Sequence, residues 1–216
     1  MTKKLFWTNP YQTTCTAKVT QITGNIVKLN QTIFYAFSGG QESDQGTINN
    51  IKVVNATKLG DKENIIDIEY ELESEPSFKV GDEVKIVIDK ERRENLMKLH
   101  SVAHIAYYFL VEKYGKQKII GSNIAQNKAR VDFARDEPLT EIDEVEQKLN
   151  NYLEEGHDIL RYQDEKNEDL WWWSCSLGKM PCGGTHVKNT KEIGHVTIKR
   201  KTKGKGKERV EIFLSE

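Results

Sequence analysis

A long apolar repeat in the middle of the chain does most to limit how it can fold. Between residues 90 and 114, apolar side chains recur at the three- and four-residue spacing of a helix. They are Leu96, Leu99, Ala103, Tyr107, Leu110, Val111 and Tyr114. Gly115 follows, at a position where glycine commonly ends a helix. The sequence therefore predicts one long amphipathic helix, with different structure on either side of it.

The segment before this helix is rich in β-branched residues, arranged in short runs separated by Gly, Asn, Asp or Pro. The runs are TAKVTQI, NIVKLN, TIFYAF, INNIKVVNATKL, NIIDIEYEL and DEVKIVID. Such spacing is typical of a small all-β unit. We predict a small N-terminal β-barrel over residues 1–89.

The segment after the helix mixes both kinds of pattern. KIIGSNIAQNKARVDFAR predicts two strands joined by a polar turn, and LTEIDEVEQKLNNYLEEG predicts a second helix with Gly156 beyond its end. The runs HDILRY, LWWWSCSL, EIGHVTIKRK and RVEIFLSE alternate like strands. The fold class is thus α+β, with a barrel followed by a two-layer α/β domain over residues 90–216 that contains an antiparallel sheet.

Composition limits the environment of the chain. Its 216 residues are 37% hydrophobic, enough for one or two cores. Three scattered cysteines do not form a disulfide framework, and we see neither a signal peptide nor an apolar run long enough to span a membrane. We expect a cytoplasmic protein with no membrane contact.

Four residues in two short motifs suggest a metal site. HSVAH places His100 and His104 four residues apart on the predicted helix, where the Cβ atoms of such a pair lie about 5 to 6 Å apart. The loop PCGGTH offers Cys182 and His186, and its two glycines allow tight folding around an ion. One thiolate with imidazoles is a donor set that zinc favours. Because the pairs come from a helix and a distant loop, we favour a catalytic or substrate-binding zinc over a structural one.

The same motifs carry a family resemblance. HSVAH, GSNIAQNKARVDF, PCGGTHVKNTKEIG and GKGKERVEI occur in this order, and they resemble the editing domain of alanyl-tRNA synthetases and of free-standing alanyl-tRNA editing proteins. TIFYAFSGGQESDQGTI resembles the glycine-rich motif that follows a β-barrel in the longer free-standing members. A synthetase body is not expected in so short a chain, so we expect no nucleotide cofactor.

The resemblance implies a trans-acting deacylase that removes serine from mischarged tRNA(Ala), and it leaves open whether glycine is also removed. It implies that His100, His104, Cys182 and His186 bind Zn²⁺. It also implies that Gly39, Gly40 and Gln41 line the amino-acid pocket. The family often has an acidic residue and three glycines before the glutamine, whereas this chain has Phe37, Ser38 and only two glycines.

The chemistry of editing suggests roles for two of these residues. A buried amide such as Gln41 can read the serine hydroxyl that alanine lacks. Thr185, beside the ligand loop, is a candidate hydrogen-bond donor next to the site, and ordinary strand packing is the alternative for this residue. We see no Ser-His-Asp set, so we predict direct attack by water. Two alternatives remain at this point: editing of Ser-tRNA(Thr), and a non-catalytic RNA-binding module with a structural zinc.

A basic tract near the end predicts contact with the acceptor stem and 3' aminoacyl end of tRNA(Ala). Its basic residues are Lys199, Arg200, Lys201, Lys203, Lys205, Lys207 and Arg209. The triple tryptophan at 171–173 could stack on bases. In an alternating strand, however, Trp171 and Trp173 face one way, so we favour a core role for them.

Overall fold

The computed structural model describes residues 1–60 and 65–215. The fold is mixed α/β, mostly strands with three α-helices in the described part. The chain packs as two compact units. The first contains residues 1–38 and 42–94, and the second contains residues 39–41 and 95–216.

The first unit is built mainly from short strands. In chain order its elements are β1 (Lys3–Lys4), α1 (Leu5–Thr8), β2 (Thr14–Thr23), β3 (Ile26–Leu29), β4 (Gln31–Thr32), β5 (Gly46–Ile48), β6 (Ile51–Gly60), β7 (Ile65–Leu72) and β8 (Glu83–Ile88). Six of these strands close into a ring in the order β2-β3-β7-β6-β5-β8, and β1 pairs with β4. Along β8 the side chains alternate, with Val84, Ile86 and Ile88 buried, so the period of two in the sequence directs one face inward.

One predicted strand of this unit is wrong. Only Thr32 of the run TIFYAF lies in a strand, and residues 33–37 do not pair with another strand. Four consecutive side chains of this run, from Ile33 to Ala36, are buried, which a strand with one inward face does not allow. Side chains satisfy the backbone instead: Tyr35 N donates to the Asp44 carboxylate, and Arg93 donates to Ile33 O at 2.6 Å.

The long helix α2 (Lys90–Tyr114) forms over the predicted range, followed by Gly115 with φ +75°. The prediction that the helix is amphipathic is wrong for its middle. Five successive residues from Leu99 to Ala103 are all buried, and five positions cover every side of a helix. No helix in the described residues is long and apolar enough to cross a membrane.

The rest of the second unit contains two antiparallel sheets rather than one. Its further elements are β9 (Lys118–Ile124), β10 (Ala129–Ala134), α3 (Ile142–Glu155), β11 (Leu160–Gln163), β12 (Trp171–Cys175), β13 (Gly178–Pro181), β14 (Val196–Thr202) and β15 (Lys207–Leu214). The strand orders are β14-β15-β10-β9 and β11-β12-β13. The predicted hairpin and second helix are confirmed, and Gly156 at the end of α3 has φ +83°.

Candidate metal centre

Four side chains far apart in sequence meet in the second unit. One ligand atom from each of His100, His104, Cys182 and His186 lies within 4.8 Å of the other three. The two helix histidines project from successive turns of α2, as their spacing requires. The other two residues come from the loop that follows β13. The structure thus brings together all four residues that the sequence suggested as a metal set.

The loop is held in place by the neighbouring strand and by close packing. The Cys182 amide donates to Trp171 O at 2.8 Å, which continues the pairing of β12 with β13. A Cβ on Gly184 would lie 2.2 Å from His100 Cε1 and 2.7 Å from Gln41 Oε1. Only glycine therefore fits at this position without moving the site.

The sulfur lies between two imidazole nitrogens. Cys182 Sγ is 3.1 Å from His186 Nε2 and 3.5 Å from His100 Nε2. The Gly184 amide donates to the same sulfur at 3.4 Å. The rings of His100 and His186 are 4.2 Å apart between centroids. These atoms face one another closely enough to share one small ion.

Burial sets the charge state of the cluster. It is the main cause that lowers the pKa of His100 and of His186 well below the ordinary value, and neighbouring histidines and Arg161 add to the effect. Burial, followed by Arg161, also lowers the pKa of His104 to about 3. Burial raises the pKa of the Cys182 thiol, against the lowering effect of the Gly184 amide. The three imidazoles are therefore neutral at pH 7, the form that binds metals.

Gln41 lies against this cluster and is fully buried. Its Oε1 is 2.8 Å from His100 Nδ1 and accepts from the Thr185 amide at 3.0 Å, while its Nε2 donates to Thr185 Oγ1 at 2.9 Å. Gln41 lies beside the cluster because the segment 39–41 pairs with β9. The Ile124 amide donates to Gly40 O at 2.7 Å. Gly40, with φ +88°, would place a Cβ 2.8 Å from Ser122 Oγ.

The other residues of the glycine-rich motif differ in their surroundings. Gly39 has φ +59° and open space where a Cβ would be, so it supplies a backbone conformation rather than a close contact. The Phe37 side chain is 58% exposed.

Sequence reasoning missed Ser101 and placed Trp173 only in the core. The Ser101 side chain is fully buried and lies 3.1 Å from His186 Nδ1. The fully buried Trp173 ring packs edge-on against His104, with centroids 4.9 Å apart. A hydroxyl directly after His100, in a part of the helix that is buried on all sides, could have indicated Ser101, but that burial was not evident from the sequence.

The basic tract lies on the β14–β15 hairpin, and part of it is paired. Arg200 binds Glu208, Lys201 binds Glu211 at 2.7 Å, and Arg209 binds Asp132. The Lys199 ammonium lies 5.2 Å from the centre of the Phe213 ring. In contrast, three exposed lysines near the turn form no ion pair with a described residue: Lys203, Lys205 and Lys207.

The donor set fits a metal ion. Three neutral imidazoles and one sulfur are nitrogen and sulfur ligands in the number that a tetrahedral site uses. His104 Nδ1 is buried and has no hydrogen-bond partner among the described residues, which indicates a polar cluster that is incomplete without a ligand. The four residues could therefore hold a metal ion.

Comparison with known protein families agrees with this arrangement. Residues 4–92 match the family of class II (A) tRNA synthetases. Residues 175–211 match the second additional domain of threonyl and alanyl tRNA synthetases, a range that includes both loop ligands.

Individual relatives match all or most of the chain. The alanyl-tRNA editing protein AlaX-M of Pyrococcus horikoshii is 37% identical over 227 residues, which span 99% of this chain and 98% of that protein. AlaX-M of Methanosarcina mazei is 31% identical and is covered over 96% of its length. The alanine-tRNA ligase of Methanococcus aeolicus is 31% identical, but this chain spans only 24% of it. The chain belongs to the AlaX-M family of alanyl-tRNA editing proteins.

Proposed function

We propose that this protein is a trans-editing deacylase that hydrolyses the ester of Ser-tRNA(Ala) at a zinc site formed by His100, His104, Cys182 and His186. The observation that carries the proposal is the convergence of one sulfur and three neutral imidazoles in a member of this family. Zinc is the metal we propose, because it favours nitrogen and sulfur donors in fourfold coordination.

We propose that the two compact units correspond to two domains. The unit with the six-strand ring is the barrel domain predicted over residues 1–89, and the other unit is the editing domain predicted over residues 90–216. Gly39, Gly40 and Gln41 are the exception, since they pack with the second unit. This packing supports a place for the glycine-rich motif in the amino-acid pocket.

Editing is needed because a binding pocket discriminates poorly between amino acids of similar size. Serine differs from alanine by one hydroxyl, and a pocket that selects by size separates such neighbours by only about 1 to 3 kcal/mol. Hydrogen bonds to the hydroxyl discriminate better. Gln41 Oε1 already accepts from His100 and Thr185, so only the second hydrogen of its Nε2 is left for a substrate hydroxyl.

Thr185 and Cys182 decide how the ester is attacked in the proposed reaction. The Thr185 oxygen accepts from Gln41, which leaves the Thr185 hydroxyl hydrogen to donate to charge on the ester oxygen. Burial raises the pKa of the Cys182 thiol, which makes it a poor nucleophile and favours direct attack by water over an acyl-enzyme. When bound, zinc would supply Lewis-acid stabilisation of an oxygen or a binding point for the substrate amino group, at a position that one of the four residues gives up or as a fifth ligand.

For tRNA binding we propose contacts through Lys203, Lys205 and Lys207. Their side chains are exposed and unpaired among the described residues, whereas Arg200, Lys201 and Arg209 are neutralised by carboxylates on the same hairpin or on β10. Phosphate contacts of this kind fix position and carry no sequence information.

A deacylation assay tests the proposal. Ser-tRNA(Ala), Gly-tRNA(Ala), Ala-tRNA(Ala) and Ser-tRNA(Thr) are incubated with the zinc-loaded wild type and with Cys182→Ala. We expect rapid loss of serine from tRNA(Ala), retention of alanine, and no hydrolysis by Cys182→Ala. Preferential hydrolysis of Ser-tRNA(Thr) would replace the proposed substrate. Tight tRNA binding without hydrolysis of any of the four would make the protein a binding module.

A further inference from the structure

The hydrogen bonds of Ser101 determine which nitrogen of His186 carries its proton. Ser101 Oγ lies 2.8 Å from Met97 O, 3.2 Å from the Val187 amide and 3.1 Å from His186 Nδ1. Met97 O can only accept, so it takes the single hydroxyl hydrogen. The Ser101 oxygen must then accept from the Val187 amide and from His186 Nδ1. A neutral His186 ring with its proton on Nδ1 has a free lone pair on Nε2.

Gln41 acts on His100 by the same logic. The Thr185 amide can only donate, and it lies 3.0 Å from Gln41 Oε1, so the amide oxygen rather than the nitrogen is at this end of the side chain. The same oxygen lies 2.8 Å from His100 Nδ1. Because a carbonyl oxygen has no hydrogen to give, His100 Nδ1 must carry the proton. The lone pair of His100 is therefore on Nε2.

Both lone pairs face the sulfur. His100 Nε2 and His186 Nε2 lie 3.5 and 3.1 Å from Cys182 Sγ. If either ring placed its proton on Nε2, an N–H would project into the cluster and one metal ligand would be lost. The orientation of two hydrogen-bond acceptors outside the cluster thus decides whether the cluster can bind a metal.

We propose that Gln41 and Ser101 are positioning residues that fix the Nδ1–H form of His100 and His186 and thereby prepare the metal site before any metal binds. This inference rests on the proposed function only in assuming that the cluster holds a metal. It gives Gln41 a role that does not depend on the substrate. Residues that orient metal-binding histidines in this way typically change metal affinity by about 10- to 100-fold when replaced.

The close packing around Gln41 explains why the glycine-rich motif needs its shape. Gly40 brings the chain within hydrogen-bonding distance of Ile124 and leaves no room for a Cβ beside Ser122. Gly184 packs against the Gln41–His100 contact, where a Cβ would meet both side chains. One glycine therefore brings the Gln41 backbone to β9, and the other leaves room for the Gln41 amide beside His100.

His104 provides an internal comparison. Its Nδ1 has no hydrogen-bond partner among the described residues. Neither Gln41 nor Ser101 holds it, so changes at those two positions should leave the protonation form of His104 unchanged. A general loss of structure would disturb all three rings together.

The experiment reads the proton positions directly, in metal-free protein labelled with ¹⁵N at histidine, by long-range ¹H–¹⁵N correlation spectra. In the wild type we expect the Nδ1–H form at His100 and His186. Gln41→Leu should shift His100 toward the Nε2–H form and leave His186 unchanged, and Ser101→Ala should do the reverse. Gln41→Glu keeps an oxygen acceptor facing His100 Nδ1, and its second oxygen can accept from the Thr185 hydroxyl, so this variant should retain the wild-type form of His100.

Zinc affinity, measured by competition with a chromophoric chelator, gives the second readout without tRNA. We expect Gln41→Leu and Ser101→Ala to weaken zinc binding by about 10- to 100-fold and Gln41→Glu to bind like the wild type. An Nε2–H form of His100 in the wild type would overturn the proposal. So would Gln41→Leu with unchanged proton positions, or a loss in Gln41→Leu that Gln41→Glu does not rescue. If Gln41→Leu fails to fold, Ser101→Ala decides the outcome, and an unchanged proton position at His186 in that variant would overturn the proposal. If the deacylation assay showed no activity, the proton positions and zinc affinities could still be as expected. The proposed function and the positioning roles of Gln41 and Ser101 can therefore fail independently.

Discussion

The molecule contains two buried polar clusters that look alike in burial and differ in their balance of donors and acceptors. In the first unit, the Arg93 guanidinium donates to both carboxylate oxygens of Asp44, to Pro10 O and to Ile33 O. Asp44 also accepts from the Tyr35 amide. In the second unit, the cluster of His100, His104, Cys182 and His186 directs lone pairs toward a common point and has few hydrogen-bond donors.

This difference separates a structural cluster from a ligand site. The Arg93–Asp44 cluster is complete without anything further, since its charges and hydrogen bonds are matched within the chain. The histidine–cysteine cluster has an excess of acceptors, and a cation would complete it. Burial of polar groups alone would not have told the two apart.

The largest expected effect comes from breaking the complete cluster. Asp44→Ala leaves the buried Arg93 charge without its partner, so we expect the free energy of unfolding of the first unit to fall by about 3 to 5 kcal/mol. Urea denaturation followed by circular dichroism measures it. The double change Asp44→Ala with Arg93→Met removes both charges and should recover part of the loss. Equal destabilisation by the single and double changes would mean that the pair itself is unimportant.

The incomplete cluster should instead make the metal-free protein sensitive to acid. The pKa values of His100, His104 and His186 are lowered in the folded state, so these rings stay neutral while those of the unfolded chain take up protons below about pH 6.5. Their contribution to stability is full above that pH and decreases as the pH falls below it. We expect a loss on the order of 1 kcal/mol per histidine between about pH 7.5 and pH 5.5.

Urea midpoints across that pH range, measured on metal-free protein, check this expectation. His195→Gln, at an exposed position outside the cluster, is the control and should show the same pH dependence as the wild type. A stability that is constant down to about pH 5.5 would be inconsistent with three neutral buried rings.

A smaller effect is expected from crowding the site. Gly184→Ala would place a Cβ 2.2 Å from His100 Cε1, so either His100 or Gln41 must move. We expect zinc affinity to fall by about 10- to 100-fold, as for other changes that misorient a histidine ligand. Gly194→Asn, at an open position with φ +75° that Asn tolerates, should bind zinc like the wild type. Unchanged affinity in Gly184→Ala would show that the packing here is less tight than its geometry indicates.

The smallest effect concerns the surface. Replacing Lys203, Lys205 and Lys207 by Ala should weaken tRNA binding and reduce the slope of log affinity against log salt, by about 0.7 to 0.9 for each phosphate that a lysine no longer neutralises. Lys79→Ala, at an exposed lysine of the first unit, is the control. If the triple change leaves the salt slope as it is, the hairpin turn does not bind phosphate.

Much of the molecule followed from local patterns in the sequence. The periodicity of residues 90–114 located α2, and alternation located most strands. The spacing within HSVAH and PCGGTH identified all four members of the cluster, because residue type and position on a helix or loop are local properties. The run TIFYAF was wrongly predicted as a strand because its backbone is bonded by side chains, among them Asp44 at Tyr35 and Arg93 at Ile33, whose proximity is set by the tertiary fold.

The hydrogen bonds that Gln41 and Ser101 form with the histidines could not be predicted from the sequence, for the same reason. Gln41 lies in the chain among residues of the first unit, and only its pairing with β9 brings it beside His100. Ser101 could not be assigned while α2 was expected to have a solvent-exposed face. Interactions of this kind depend on packing between distant segments, which periodicity does not report.

Proton release on metal binding tests most directly whether the acceptor-rich cluster is a zinc site. Zinc is titrated into metal-free protein by calorimetry at about pH 7.5, in two buffers with different ionisation enthalpies, and the difference in heat gives the number of protons released. Since burial keeps the three imidazoles neutral and the Cys182 thiol protonated, we predict one-to-one binding with release of about one proton per ion. Release of no proton, or of two or more, would contradict the account, as would the absence of one-to-one binding.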